Sequence, residues 1–535
     1  MIRITQIKIS IDEPVSKVKS LVLKKLRLQE ADLLDYRIYK ESIDARHRGE
    51  IDFIYTVDIK LKDESKILSK KIKNVSLAPE LDYVNPQFGT KKMVNRPVVI
   101  GFGPAGMFAA LLLAQNGYRP IVLERGQAVD ERVKSIDKFW LEGKLNPKSN
   151  VQFGEGGAGT FSDGKLTSRV RDLRGRKVLE EFVEAGAPED ILYKAHPHVG
   201  TDLLRDIVKN IRKQIIELGG EVYFDAQVEE FLIEDEQLQA VKLADGKIVK
   251  TNHAILAIGH SARDTFSELY DKGVTITAKP FAVGVRIEHP QSLINKAQYK
   301  EFADHPRLGA AEYRLTHKSS SGRGVYTFCM CPGGLVVPAA SEEGGLVTNG
   351  MSEHARDQKN ANSGLLVQVF PEDFPSNHPL AGVEFQKELE HKAFELGGSN
   401  YQAPAQLVGD FLDGKASKAM CSVEPSYALG VKPTNLESLF PDYVTQSMRE
   451  AIVGLDKKMH GFALSDAVMT GVESRSSSPV RINRDEENFQ SVSTKGIYPS
   501  GEGAGFAGGI VSAGIDGLKC AEALISEFAK PPTEA

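Results

Sequence analysis

One segment limits what this chain can fold into more than any other. Pro97-Val98-Val99-Ile100 has the makings of a short buried strand, and Gly101-Phe102-Gly103-Pro104-Ala105-Gly106 follows it directly. Met107–Asn116 then forms an alanine- and leucine-rich helix ending at Gly117. In a strand–turn–helix unit, the first glycine makes the tight turn. The second lets a pyrophosphate approach the backbone, and the third lets helix and strand pack closely. The helix N-terminus offers free N–H groups and the positive end of its dipole to phosphates. The next strand, Pro120–Leu123, ends at Glu124, about 20 residues on, where a carboxylate can accept both hydroxyls of a ribose. That carboxylate would repel a 2′-phosphate. Strand, glycines, helix, strand and acid together predict a dinucleotide-binding domain, with Gly101, Gly103, Pro104, Ala105, Gly106, Glu124 and the adjoining Arg125 on the cofactor.

The fingerprint alone admits NAD or FAD, and three further segments favour FAD. A second glycine-rich loop runs from Gly154 to Lys165 (GEGGAGTFSDGK), contributing Gly157 and Ser162 to the expected cofactor set. The apolar strand Ala254–Ile258 ends at Gly259 and closes the first nucleotide-binding half. Near the C-terminus, Gly496–Gly509 (GIYPSGEGAGFAGG) leads into a helix from Ile510 to about Phe528. An extended cofactor reaches from the first helix to this last one, which a bare NAD site does not require. Two-electron reduction of a flavin leaves negative charge at its pyrimidine edge. N–H donors at Gly508, Gly509 and Ile510 suit that charge. Gly501 and Glu502 are placed for the ribityl hydroxyls.

At 535 residues the chain needs more than one domain. Its net charge of −5 favours neither bulk nucleic acid nor an anionic membrane surface. No stretch approaches the roughly 18 consecutive apolar residues of a membrane span, and Met1–Ser10 alternates like a strand. Four scattered cysteines suggest a reducing compartment, and a cytoplasmic location is expected. Cys329-Met330-Cys331 is too closely spaced for a zinc knuckle, so no metal is expected, and buried thiols on a strand are the preferred reading.

Residues 1–92 form a separate module and linker, with strands at Ile2–Ile11, Leu34–Ile43 and Ile51–Leu61 and a helix at Pro14–Leu26; Glu64–Asn95 is read as linker. This βαββ order predicts a small ferredoxin-like α+β domain. Its 19 Lys+Arg against 14 Asp+Glu are taken as a solvated face. Residues 93–274 and 471–535 are assigned to a discontinuous FAD-binding Rossmann-like domain. Residues 275–470 are assigned to an inserted, strand-rich α+β substrate domain with few long helices. The fold class is therefore α/β.

The chain resembles the bacterial FAD-dependent dehydrogenases termed NAD(FAD)-utilising dehydrogenases, within the glutathione-reductase-like flavoproteins. The likeness is carried by Tyr39–Arg46 (YKESIDAR), Gly154–Leu166, Ala257–Asp264 (AIGHSARD), Val283–Pro290 (VGVRIEHP), Gly324–Gly334 (GVYTFCMCPGG), Thr348–Ser352 (TNGMS), Gly471–Arg481 (GVESRSSSPVR) and Ser500–Gly509. The resemblance implies the FAD role for Gly101, Gly103, Gly106, Glu124, Gly501 and Glu502, and a backbone contact to adenine at Val228. It brings no substrate with it.

For the chemistry, Arg286, Arg475 and Arg481 are candidates to grip an anionic small-molecule substrate, because guanidinium forks suit carboxylates and phosphates. Structural ion pairs, with Glu288 or Glu473 as partners, are the competing reading. Asp163 and Lys165 sit in the loop expected at the flavin edge, and His260 follows Gly259; these three are the catalytic candidates. Tyr326 and Cys329 are assigned to core packing. The leading expectation is hydride transfer between FAD and an organic substrate, with NAD(P)H as a candidate transient reductant. The alternative is a structural flavin with an N-terminal module that binds RNA or a protein partner. No assembly state follows from the sequence.

Overall fold

A computed structural model describes residues 1–46, 49–168 and 172–532. Its organising element is a five-stranded parallel sheet. The order across it is Ile497–Pro499, Ala254–Leu256, Val98–Ile100, Ile121–Leu123, Glu221–Tyr223. The first two strands in the chain, Val98–Ile100 and Ile121–Leu123, are neighbours joined by the helix Pro104–Gln115. The chain then adds Glu221–Tyr223 outward on one side and Ala254–Leu256 and Ile497–Pro499 on the other. The order therefore reverses between Val98–Ile100 and Ala254–Leu256, and in such sheets the crevice at that reversal takes the ligand. This is a Rossmann-like arrangement in a mixed α/β protein.

The helix Pro104–Gln115 is buried on every side from Ala105 to Ala114, as its unbroken apolar sequence requires. It lies between the sheet and the C-terminal helix Ile510–Glu527. The two helices cross closely because Gly517 has no side chain; a Cβ there would sit 2.0 Å from the Ala105 carbonyl oxygen. Each leucine or phenylalanine buried in this core contributes about 1.5–3 kcal/mol of transfer free energy.

The inserted domain is built on a seven-stranded sheet. Its order is Thr316–Lys318, Gly324–Cys331, Asn360–Val369, Phe281–Pro290, Val468–Glu473, Ala403–Leu407, Val431–Pro433. One difference from the sequence reading arises here. Val468–Glu473 is a full member of this sheet, so the inserted domain does not end at residue 470. The domain carries two long helices, Ala381–Gly397 and Asp442–Asp456, whose buried residues recur at helical spacing, as at Val444, Met448, Ala451, Ile452 and Leu455. The chain leaves and rejoins the nucleotide half through one antiparallel ribbon, Ile276–Ala278 against Val480–Ile482.

The N-terminal module has the strand order Leu33–Asp44, Asp52–Leu61, Ile2–Ser10, Val75–Leu77, all antiparallel, with the helix Ser16–Leu26. The segment read as linker in fact completes this sheet. Glu64–Leu68 forms a short helix burying Ile67, and Val75–Leu77 pairs with Ile2–Ile4. Three-residue strands carry too little alternation to be legible. The module is docked rather than tethered: Leu308 is buried in its core, and Arg307 stacks 4.3 Å from the Phe53 ring while donating to the Ile11 carbonyl. Glu41 exchanges backbone hydrogen bonds with Tyr193 and Ala195, at 2.8 Å each. Among the described residues, no helix is long and apolar enough to cross a membrane.

Candidate functional site

Three glycine-rich segments converge at the sheet reversal. A Cβ on Gly101 would lie 2.3 Å from the Ala257 carbonyl oxygen, and one on Gly106 would lie 1.9 Å from that of Gly101. The turn is thus pressed against the neighbouring strand end and its own helix. Gly103 caps that helix, with Pro104 as the first helical residue. The second loop lies over it: Gly157 faces Gly103, and Gly159 faces Ile510 and Pro104. From the third segment, Gly501 packs on Ala105 and Gly503 on Gly259. Gly508 and Gly509 remain exposed at the N-terminus of the C-terminal helix. Two helix N-termini, at Gly103 and Gly509, therefore open onto one side-chain-free cradle.

Glu124 is buried and does more than the sequence suggests. Its oxygens accept the backbone N–H groups of Phe102 (2.8 Å), Gly126 and Gly154 (2.9 Å each), which ties the first glycine turn to the second loop. One lone-pair direction is left for a ribose. Arg125 pairs with Asp264 at 3.0 Å, bonds Thr265 and stacks 4.5 Å from the Phe153 ring. Val228 is buried at the start of the strand Val228–Glu234. That strand begins just after Ala226, whose N–H reaches the Glu124 carbonyl at 2.9 Å. The Ser162 hydroxyl donates to Gly159 O (2.7 Å) and accepts from Gly164 N–H (3.0 Å), so its one donor is spent on shaping the loop.

Two of the three candidate substrate arginines are corrected. Arg286 is fully buried. It forks onto Glu473 at 2.6 and 2.7 Å and donates its remaining N–H groups to Cys329 O, Asn362 and Asn349. All five donors are used, so it holds the sheet together and cannot grip a substrate. Arg475 forks onto Glu390 and also bonds Ser341. Arg263 binds the same Glu390 carboxylate from the nucleotide half, at 2.7 and 2.9 Å. Burial would raise Glu390, but the two guanidinium charges outweigh it and hold the carboxyl well below its ordinary value. This buried Arg263–Glu390–Arg475 cluster locks the two halves together. Arg481 is exposed on the linking ribbon, with one bond to Gly505 O and the Phe506 ring at 4.8 Å. Of the three, it is the one open to solvent.

The catalytic candidates occupy two walls. Asp163 accepts from Lys165 (2.8 Å) and from both Arg356 Nε (2.9 Å) and its terminal nitrogen. Burial would raise its carboxyl, but Lys165 and Arg356 together hold it below the ordinary value. Lys165 also reaches Glu312 (3.2 Å), and Glu312 pairs with His196 at 3.1 Å. Burial opposes the charge on Lys165, yet Asp163 and Glu312 raise its pKa, so the side chain is an ammonium donor and not a base. His260 is half-buried, with Nδ1 3.0 Å from the Ser261 hydroxyl. Burial, then the Arg475 and Arg263 charges, push it down to about 3, so the ring is neutral at ordinary pH. Its other nitrogen makes no bond among the described residues.

Cys329 overturns its assignment to the core. The strand carries a bulge between Phe328 and Cys331, Cys329 has φ +41°, and its side chain is exposed. Burial nevertheless pushes the thiol up to about 12. Sequence alternation could not show this exposure, because the bulge breaks the period of two. Arg356 and Glu312 were also not singled out; they lie in loops far along the chain from the Asp163 loop.

Residues 280–476 match the family model "FAD-dependent protein, C-terminal domain-like", and residues 1–60 match a domain of unknown function. A Clostridium beijerinckii protein described as "Uncharacterized protein" is 51% identical over 532 residues, 99% of each chain. The class is that of the FAD-dependent proteins, and the cofactor is FAD. This chain belongs to the same family as the Clostridium relative.

Among solved structures, tetracycline destructase Tet(51) is 15% identical, covering 55% of this chain and 62% of that one, with a TM-score of 0.27. L-proline dehydrogenase from P. horikoshii is 12% identical, covering 83% and 96%, with a TM-score of 0.35. Glycine oxidase from Bacillus cereus is 10% identical, covering 82% and 100%, with a TM-score of 0.32.

Proposed function

We propose that this protein is a FAD-dependent oxidoreductase, related to the glutathione-reductase-like flavoproteins, acting on a small organic molecule in the cleft between its two large sheets. The chemistry FAD supplies is two-electron hydride transfer. The observation that carries the reading is the convergence of Gly103, Gly157, Gly159 and the open Gly508–Gly509 helix terminus on one cradle.

The residues divide the work. Gly101, Gly103, Pro104, Ala105, Gly106 and Gly157 give backbone access to the pyrophosphate. Glu124, Arg125 and Val228 frame the adenosine end, and Gly259, Gly501 and Glu502 lie along the ribityl run. The N–H groups at Gly509 and Ile510, at the start of the C-terminal helix, would stabilise negative charge on a flavin bound there. Lys165 donates hydrogen bonds to the substrate from a position fixed by Asp163 and Glu312. His260, neutral, offers its free ring nitrogen as a hydrogen-bond partner near the flavin. Asp163, with both oxygens engaged, positions Lys165 and Arg356. Arg481 is the arginine left to attract an anionic substrate, and NAD(P)H is the candidate reductant.

Anaerobic titration of the purified holoprotein tests this. Bleaching of the flavin absorbance by NADH, NADPH or a member of a panel of small amines and hydroxy acids is expected. A protein that takes up no FAD, or whose flavin exchanges electrons with none of them, sinks the proposal.

A further inference from the structure

The linking ribbon carries a charge that the roles above leave unused. Lys279 follows directly on Ile276–Ala278, its backbone N–H held by the Pro479 carbonyl at 2.9 Å. Thr277 and Arg481 are register partners, so Lys279, two residues on, lies on the same face as Arg481. On that face Arg481 reaches the third glycine segment, bonding Gly505 O and lying 4.8 Å from the Phe506 ring. Burial lowers the pKa of Lys279, the Glu502 carboxylate opposes this, and Arg481 adds to it. Lys279 is half-buried, and its ammonium makes no hydrogen bond or ion pair among the described residues. The same is true of the Glu502 carboxyl, which burial pushes up to about 8 against the pull of Lys279.

An ammonium and a carboxyl held out of water, close enough to influence each other but not touching, lose hydration without gaining a contact. Other buried charges around this cleft are paired: Asp163 with Lys165 and Arg356, Arg263 and Arg475 with Glu390, Arg484 with Asp516. Lys279 and Glu502 are left facing one gap. Glu502 belongs to the third glycine segment, between Gly501 packed on Ala105 and Gly503 packed on Gly259, and one of its oxygens lies 3.7 Å from where a Gly508 Cβ would be. The gap therefore lies along the run from the first helix terminus to the second, where an extended cofactor belongs.

We propose that Lys279 is a ligand of the bound FAD, reaching it from the inserted-domain side of the cleft while Glu502 holds it from the other. The inference rests on the cofactor reading above. An ammonium suits the phosphates and carbonyl oxygens of the cofactor, and a carboxyl suits its ribityl hydroxyls. The ribbon that joins the two domains would then sense whether the cofactor is in place.

Apoprotein titrated with FAD, followed by quenching of flavin fluorescence, separates this from a structural ion pair. Lys279→Ala is expected to weaken FAD binding at least about tenfold, the size of one charge-assisted contact. Lys279→Arg should recover most of the affinity, and the melting temperature of the apoprotein should not change. Unaltered FAD affinity in Lys279→Ala overturns the proposal, as does a lowered apoprotein melting temperature with affinity intact, which marks a structural pair. Failure of the unmodified chain to take up FAD would remove the cofactor assignment itself, a result distinct from Lys279→Ala matching it.

Discussion

Gly103 and Gly157 stand face to face: a Cβ built on Gly157 comes within 2.9 Å of the Gly103 Cα. Two loops separated by some fifty residues of chain thus share one backbone-to-backbone contact where the first helix begins. Gly157 also has φ +63°, where a Cβ costs about 1 kcal/mol.

Gly157→Ala should therefore fold but lose FAD, because its methyl group must push the second loop off the first. The expected result is a drop of at least about tenfold in FAD affinity, read from the flavin-to-protein absorbance ratio after dialysis. Gly246→Ala is the control. It has a similarly positive φ of +89° with nothing within 4 Å of its Cβ, so it should lose about 1 kcal/mol of stability and keep its flavin.

Arg286→Met tests the corrected role of Arg286. Removing the guanidinium strands the buried Glu473 carboxylate, which costs about 3–5 kcal/mol. Arg481→Ala, on the exposed ribbon, should stay within about 0.5 kcal/mol of the parent. Equal midpoints for the two variants in urea unfolding would contradict this division.

Glu390→Gln attacks the lock between the halves. Its carboxylate compensates Arg263 and Arg475 together, so the amide leaves two buried cations underpaired. A loss of about 3–5 kcal/mol is expected. It should appear as faster proteolysis at the domain boundary, with the five-stranded sheet still protected in hydrogen exchange.

Glu502 gives a pH signature. Its folded value, about 8, lies above the ordinary 4.5, so the folded apoprotein binds more protons than the unfolded chain between those values. Stability from this group is fully present below about pH 4.5 and is lost as pH rises through about 8. Apoprotein melting temperature should fall across that window, and Glu502→Gln should flatten the fall. A parallel slope in both proteins would rule Glu502 out as its source.

The cofactor half was largely legible because its signals are local. The strand before Gly101, the acid at Glu124 and the run Gly501–Gly509 each announce a turn chemistry that only a few backbones satisfy. Arg286 pairs with Glu473, the competing reading of the sequence, whereas the partner of Arg475 was not legible, because sequence shows donors but not who consumes them and Glu390 is brought to it by helix docking. Cys329 was hidden by a bulge, which moves a side chain from core to surface without changing composition. Val75–Leu77 was too short to show a period. Lys279 gave no signal at all, since one lysine near a proline is indistinguishable from a solvated loop until its face of the ribbon is known.

The ribbon also bears on how such a chain could be assembled. Ala278 and Val480 are register partners, so the points where the inserted domain departs and returns lie side by side. A tight hairpin turn could join them with no strand of the five-stranded sheet displaced. The nucleotide half is thus a complete unit with one splice point, and whatever chemistry the insertion confers can be exchanged there without redrawing the fold that carries the flavin.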